Sequence, residues 1–309
     1  MSKRVRMRTD SAIGYTEVPP GNVAAPEAAV AELIGFVERF PRLAVLSGAG
    51  VSTDCGIPDY RGEDGQWKHR RPVMYQDFIG SLATRRRSWG RSVVGWRRVA
   101  AADPGPAHRA LAALGELGRV EHIITQNVDG LHQRAGSRSV TDLHGRLDTV
   151  ACRDCGAHVA RAAFQERLEA LNPYWDPASD TVRPDGDAEL QAADYDGFVV
   201  PNCASCGGML KPAVVFFGEN VPRPRVAAAL QRVAAADALL VVGSSLMVFS
   251  GYRFVREARR LGKPVAVINR GVTRADAEVD LKVDAACGGI LDRLAMHCRE
   301  AGSSGERIG

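Results

Sequence analysis

Apolar positions along this chain fall into two alternating rhythms. In "PEAAVAELIGFVERF", Val30, Leu33, Ile34 and Val37 share one face of a helix. The apolar run Leu43 to Leu46 follows at once and reads as a strand. "VEHIITQNVDG", "ADALLVVGSSL" and "KPVAVINRG" repeat the arrangement, each a short apolar run reached after helical sequence and ending in polar residues. Before the second of these, Val226, Leu230 and Val233 stand at i, i+4 and i+7. Before the third, "YRFVREARRLGKP" stops at Gly262 and Pro264, a helix end. Helices alternating with continuously apolar strands predict an α/β fold with a mostly parallel, doubly wound sheet. Neither internal repeats nor low-complexity blocks interrupt it. "NPYWDPASDTVRPDGDAEL", with its three prolines, reads as a loop.

Such a sheet binds ligands at the carboxyl ends of its strands, and that is where the polar residues gather. Gly48, Ala49, Gly50 and Ser52 follow the first strand, and Gln126, Asn127 and Asp129 the next. Gly243, Ser244 and Ser245 follow the third, and Asn269, Arg270 and Gly271 the fourth. Glycines let backbone N–H groups approach a pyrophosphate, and side-chain amides suit ribose or an adenine edge. A dinucleotide is the natural occupant; the plain alternative is four strands with polar turns. Hydride-transfer enzymes carry G-x-G-x-x-G and an acid about 20 residues further on. Here the third glycine is missing and no acid ends the strand Ile123 to Thr125. Instead Ile57, Asp59, Asn127 and Asp129 offer a pocket for a carboxamide, and His144 stands in "DLHGRLD". A lone histidine is ordinarily structural, but a His-Gly loop downstream of a nucleotide site is also a candidate acid or base.

At 309 residues and 45% apolar, the chain can bury one large core or two unequal ones. No apolar run approaches the roughly 20 residues of a spanning helix. The basic start "MSKRVRMRTDSAIGYTEVPPGN" lacks an apolar stretch and reads as a loose tail, with Asp10 and Glu17 arguing against a transit peptide. These features predict a cytoplasmic chain without a membrane partner. A net charge of +4 is too mild to argue for nucleic acid, and the local run Arg85 to Arg87 with Arg91, Arg97 and Arg98 reads first as a solvated helix face.

Four of the seven cysteines form two Cys-X-X-Cys pairs, Cys152 with Cys155 and Cys203 with Cys206, separated by 47 residues. Each pair lies in a short turn followed by glycine, the way zinc knuckles present two thiolates to one ion. A redox motif needs only one pair, and nothing argues for an oxidising compartment. The expectation is one structural zinc in a small module held by its metal, with four thiolates leaving no open position. By spacing, Cys55, Cys287 and Cys298 are packing residues.

"GAGVSTDCGIPDYRG", "TQNVDGLH", "LHG", the two cysteine pairs, "KPAVVFFGE", "GSSL" and "IN" stand here in the order found in sirtuins. The resemblance runs from about Ala25 to Leu294. "RRP", "NPYW", "PDGD" and "VVGSSLMVFSGYRF" make it most similar to the class II lineage that includes a lipoamide-removing mitochondrial member. The likeness implies a Rossmann-like domain (25–61, 104–147 and 212–296) and a small domain with a helical part (62–103) and a zinc part (148–211), between tails 1–24 and 297–309. It implies NAD as a consumed co-substrate, held by the positions above together with Asp54, Tyr60, Arg61 and Cys287. The stretch Gly56 to Arg61 would close over the nicotinamide ribose. Asn127 would assist catalysis, and His144 would be the general base on the ribose hydroxyls. The products would be nicotinamide, O-acyl-ADP-ribose and free lysine. Val214, Val215, Phe216, Phe217 and Gly218 would wall the acyl-lysine tunnel, with "SLMVFSGY" opposite, where Ser250 replaces a proline of many members. The partners implied are acyl-lysine proteins, with a monomer favoured. A mono-ADP-ribosyltransferase, sharing cofactor and leaving group, is the rival reading, and a non-catalytic NAD- or zinc-dependent binding protein the other.

Sirtuins that prefer succinyl- or malonyl-lysine carry Tyr-X-X-Arg; here the aligned stretch is Ser88-Trp89-Gly90-Arg91. The arginine is present without the phenol. The expectation is a roomier pocket for longer acyl chains, with at most a moderate preference for acidic ones, weak activity on acetyl-lysine, and Arg91 as a single charge-assisted anchor.

Overall fold

The computed structural model describes residues 26–68, 71–175, 177, 183–190 and 194–305. The expected amino-terminal tail lies outside them, as do the middle of the proline-rich loop and residues 306–309.

The chain opens with helix α1 (Pro26–Arg39) and strand β1 (Leu43–Ser47), then two short 3₁₀ turns, Ala49–Val51 and Thr53–Cys55. Helices α2 (Tyr75–Gly80), α3 (Leu82–Ala101) and α4 (Pro106–Glu116) lead to β2 (Val120–Thr125), α5 (Leu131–Arg134) and β3 (Val140–Asp142). Next come β4 (Gly145–Cys152), β5 (His158–Ala160), α6 (Arg161–Leu171) and β6 (Leu210–Val214). The last part is α7 (Arg223–Ala235), β7 (Ala238–Val242), α8 (Phe249–Arg260), β8 (Val265–Ile268), β9 (Leu281–Val283) and α9 (Cys287–Gly305). A six-stranded sheet has the order β3-β2-β1-β7-β8-β9, and every pairing in it is parallel. A second sheet, β5-β4-β6, is antiparallel.

The continuous apolar strands are explained by burial on both faces. Leu43 and Val45 of β1 pack with Leu33 and Val37 of α1, Leu111 and Leu114 of α4, and Leu291 and Leu294 of α9. Ala44 and Leu46 point the other way, onto Val233 of α7 and Phe254, Val255 and Ala258 of α8. The predicted faces of α1 and α7 are the ones that pack, although Val226 and Leu230 are half-buried and Ala229 carries the seal. Helix α9 continues through most of the segment expected as a tail, because Cys298 still reaches the core.

The smaller part has a core of its own. Phe78, Trp89, Val93, Phe164, Leu168 and Phe198 pack beside Cys152 and Cys203, with the Trp89 and Phe164 rings 4.7 Å apart. Aromatic burial therefore shares with the cysteine cluster the work of holding this module. Among the described residues, no helix is long and apolar enough to cross a membrane.

Candidate active site and metal site

Two glycine turns build the floor of the site. The N–H of Gly48 donates to Val242 O (3.0 Å), that of Gly50 to Gly243 O (2.9 Å), and that of Gly243 to Ile268 O (2.8 Å). A Cβ on Gly48 would lie 2.7 Å from the Gly243 oxygen. Gly243 sits at φ +61, and a Cβ there would meet Val51 N at 2.6 Å. The turns after β1 and β7 thus touch only because neither carries a side chain. Above them opens a cleft of about 390 Å³ at the carboxyl ends of β1, β2, β7 and β8. Gly48, Ala49, Gly50, Ser52, Ile57, Asp59, Tyr60, Arg61, Gln126, Asn127, Asp129, His144, Gly243, Ser244, Ser245, Asn269 and Arg270 line it.

Polar side chains in the cleft are fixed by one another. Asn127 Nδ2 donates to Ser52 Oγ (3.0 Å), which donates to Asp129 Oδ2 (2.8 Å), while Leu131 N–H donates to Asp129 Oδ1 (2.9 Å). Gln126 Nε2 donates to Ser244 Oγ (2.8 Å). Leu246, at φ 58, is the one positive-φ non-glycine residue among those described, and it too lines the cleft, a strained position at a site. The loop after Asp59 closes as a small hairpin. Arg61 bridges to Trp67 and lies 4.1 Å over its ring, and Lys68 N–H donates to Tyr60 O (3.0 Å). Lys68 Nζ stands 2.6 Å from Asp59 Oδ1. Trp67 and Lys68 carried no sequence signal.

His144 is placed by the glycine after it. Gly145 has φ +80, and a Cβ there would run into the Ala213 carbonyl. That close approach lets His144 O accept from Val215 N–H (2.7 Å) and hangs the imidazole at the cleft wall. Its Nδ1 lies 2.9 Å from Gln126 O and its Nε2 2.8 Å from Ser250 Oγ. Burial lowers its pKa to about 4 against a weaker opposing pull from the Gln126 carbonyl, so the ring is neutral near pH 7. Val214, Val215, Phe216, Phe217 and Gly218 form one wall, and Met247, Val248, Phe249 and Ser250 stand in the lining as well. Lys211 Nζ and Phe216 N–H both meet Glu219 Oε2, at 2.8 and 2.9 Å, which holds that wall.

Asp54, Gly271, Cys287 and Arg91 do not line the cleft. Asp54 is exposed, and Val272, next to Gly271, donates its N–H to Glu63 O (2.7 Å). Cys287 lies buried beneath Ile268 O, its thiol pushed up to about 12 by desolvation. Arg91 turns its Nε onto Ala188 O (2.8 Å), pinning the segment 183–190. That segment brings Pro184, Asp185 and Asp187 into the cleft beside Ser88, Ser92, Val128 and Leu147. Burial, and then the neighbouring Asp185 charge, raise Asp187 to about 8, so its carboxyl stays protonated near neutrality. In the sequence, Pro184 to Asp187 stands out only as the family-like "PDGD" and carries no sign of a place in the cleft, because a loop has no period.

The Sγ atoms of Cys152, Cys155, Cys203 and Cys206 all lie within 4.8 Å of one another, with Cys152–Cys206 at 3.5 Å and Cys155–Cys203 at 3.8 Å. Zn–S bonds of about 2.3 Å in a tetrahedron set sulfurs ~3.8 Å apart, so the cluster fits zinc. Backbone N–H groups of Ser205 and Cys206 lower the Cys203 thiol, while the neighbouring sulfurs raise that of Cys206, as expected of four thiols crowded together without a cation between them. None of the four lines the cleft.

Parallel sheet, glycine turns and polar strand-end cleft define a dinucleotide-binding protein of the Rossmann-like class. The Sir2 family model matches residues 48–250, and the chain belongs to that family. It is 57% identical over 256 residues to the NAD-dependent protein deacetylase of Xanthomonas campestris pv. campestris (strain 8004), covering 83% of this chain and 87% of that protein. To the mitochondrial NAD-dependent protein lipoamidase sirtuin-4 of Bos taurus it is 46% identical over 277 residues, 89% and 88% of the two chains. The crystal structure of a Sir2 homologue–NAD complex superposes with a TM-score of 0.67 at 31% identity, covering 88% of this chain and 94% of that one.

Metal analysis is expected to find one zinc per chain, and Cys155→Ser to lose both the metal and soluble expression, since such sites supply on the order of 10 kcal/mol of folding free energy. A folded, metal-free protein contradicts the assignment. A second expectation concerns acid. Burial lowers His122 and His144 to about 4 and His132 to about 3, from about 6.5 in the unfolded chain. Between these values the unfolded chain binds more protons, so stability present above pH ~6.5 is lost as pH falls toward 4 and 3. Urea midpoints should therefore drop across that range; a flat profile would show that these rings are not desolvated.

Proposed function

We propose that the site works as a lysine deacylase centre whose base is His144. The chain is an NAD-dependent protein lysine deacylase of the Sir2 family. One observation carries the assignment of roles: a neutral imidazole held at the cleft wall, between the glycine turns and the apolar segment Val214 to Phe217. NAD, when bound, supplies the electrophilic ribose carbon and the acceptor of the acyl group.

The chain's own residues divide the remaining work. Gly48, Gly50 and Gly243, whose own N–H groups are spent within the sheet, leave room for the pyrophosphate, to which Ala49, Ser244 and Ser245 turn their backbone, and Gln126, Asn269 and Arg270 surround the ribose and adenine end. Tyr60 and Arg61 belong to the hairpin over the nicotinamide ribose, and Asp54, Gly271 and Cys287 support the cofactor from behind the lining. Ile57, Asp59, Asn127 and Asp129 form the carboxamide pocket, with Asn127 and Asp129 preset through Ser52. His144 accepts a ribose proton at Nε2, freeing the 2′ oxygen for the acyl carbon. The acyl-lysine segment adds as a strand between Val214–Gly218 and Met247–Ser250, giving affinity with little sequence reading. With one water consumed to release the lysine amine, the products are nicotinamide, O-acyl-ADP-ribose and free lysine. The division into a Rossmann-like domain and a helical and zinc-bearing small domain belongs to the same proposal. So does a monomeric, cytoplasmic enzyme with no nucleic-acid or membrane partner; the bacterial sources of several relatives support that compartment. A mono-ADP-ribosyltransferase needs neither the ribose base nor the apolar wall beside it.

His144→Ala should lower deacylation by roughly 10²–10⁴-fold while ADP-ribose binding survives; a variant keeping most of its rate removes His144 from the chemistry. For the acyl group, Asp185 and Asp187 in the lining disfavour succinyl, and Ser88 in place of a phenol leaves room that favours long neutral chains over acetyl. Because Arg91 holds Ala188, Arg91→Ala should weaken all acyl-lysine peptides to a similar degree. A selective loss of succinyl-lysine activity would place the guanidinium on the acyl group instead.

A further inference from the structure

The base carries a contact for which the deacylase reading has no use. Nδ1 of His144 faces the main-chain oxygen of Gln126 at 2.9 Å. A carbonyl oxygen only accepts, so Nδ1 bears the proton and Nε2 presents its lone pair. Ser250 Oγ stands 2.8 Å from that Nε2, so the hydroxyl donates to it. Ser250 lies in the first turn of α8, half-buried, and lines the cleft together with Phe249 and Arg253 of the same helix. The lone pair that a ribose hydroxyl needs is thus already engaged by a side chain 106 residues away in sequence.

We propose that Ser250 is the positioning residue of the general base: its hydroxyl fixes the ring plane and tautomer of His144 and keeps Nε2 unprotonated until substrate binds. With both nitrogens bonded, the ring cannot rotate about its Cβ bond without breaking a hydrogen bond. A donor on Nε2 also favours the neutral ring over the imidazolium, which has no lone pair there. Other groups act in the same direction. Arg225 of α7, whose NH1 donates to Leu143 O (3.1 Å), and Arg253 of α8 are the charged residues acting on the ring among those described, and both disfavour a second positive charge. Only the Gln126 carbonyl opposes them. Ser250 is the one of these contacts that a substrate hydroxyl can replace in kind, because it too is an O–H donor at the cleft surface.

The proposal rests on His144 being the base, and the experiment separates the two claims. It measures kcat/KM for deacylation against pH, with NAD and one acyl-lysine peptide, for wild type, Ser250→Ala, Ser250→Thr and His144→Ala. In parallel, the His144 ring is titrated by ¹⁵N NMR, its signal identified by its loss in His144→Ala. A base must be unprotonated, so the acid limb follows its pKa. Removing the donor raises that pKa. In Ser250→Ala the limb and the ring titration should both move up by roughly half a unit to one unit, and the plateau should fall by roughly 2- to 10-fold. Ser250→Thr, which keeps the hydroxyl, should restore both. A Ser250→Ala profile and titration that overlay wild type, with His144→Ala inactive, overturn the role of Ser250 and leave the base in place. An active His144→Ala overturns both.

Discussion

The contact between the turns after β1 and β7 is the constraint on which the site depends. Gly48 and Gly50 meet Gly243 so closely that a single Cβ on any of them would collide with the facing backbone. That approach joins two strands paired in the sheet into one continuous floor of bare backbone, where a pyrophosphate can lie with no side chain beneath it. It also explains the missing third glycine. In the usual fingerprint that residue lets a helix pack tightly on its strand. Here β1 is followed by two 3₁₀ turns, Ala49–Val51 and Thr53–Cys55, with no long helix to pack. The residues from Ser52 to Arg61 are thereby released to line the cleft instead of starting a helix.

Burial sets the chemistry at that end. Asp129 spends its carboxylate on Ser52 and on the Leu131 N–H, so it is oriented before any ligand arrives. His144 is kept neutral by desolvation, and Asp187 is kept protonated by the same cause acting on an acid. The same desolvation thus lowers the imidazole and raises the carboxyl within one cleft. The cysteine cluster stands apart from the cleft. With zinc it would clamp the small antiparallel sheet, beside an aromatic core around Trp89 and Phe164.

Much of this was legible in the chain because it is local. Leu43 to Leu46, Ile123 to Thr125, Ala238 to Val242 and Val265 to Ile268 announce buried parallel strands by unbroken apolarity, and the two Cys-X-X-Cys turns announce their ligand by spacing. The edge strands β3 and β9 escaped notice, since three residues in a half-solvated position show no period. What was hidden at the site is held by contacts across long stretches of sequence. Arg91 meets Ala188, 97 residues on, so that it braces the segment 183–190 from outside the cleft lining. Lys68 finds Asp59 only because the loop between them folds into a hairpin. Ser250 shows in the sequence only as a departure from the proline of many relatives, and its contact with His144 spans 106 residues.

The central claim is that NAD is cleaved and its ADP-ribose receives the acyl group. Mass spectrometry of a reaction with an acyl-lysine peptide tests this most directly, with all nucleotide products and the protein itself analysed from one sample. The account requires nicotinamide, free lysine peptide and O-acyl-ADP-ribose in equal amounts, with no mass added to protein. ADP-ribose found covalently on protein, with the acyl-lysine peptide unchanged, would contradict it.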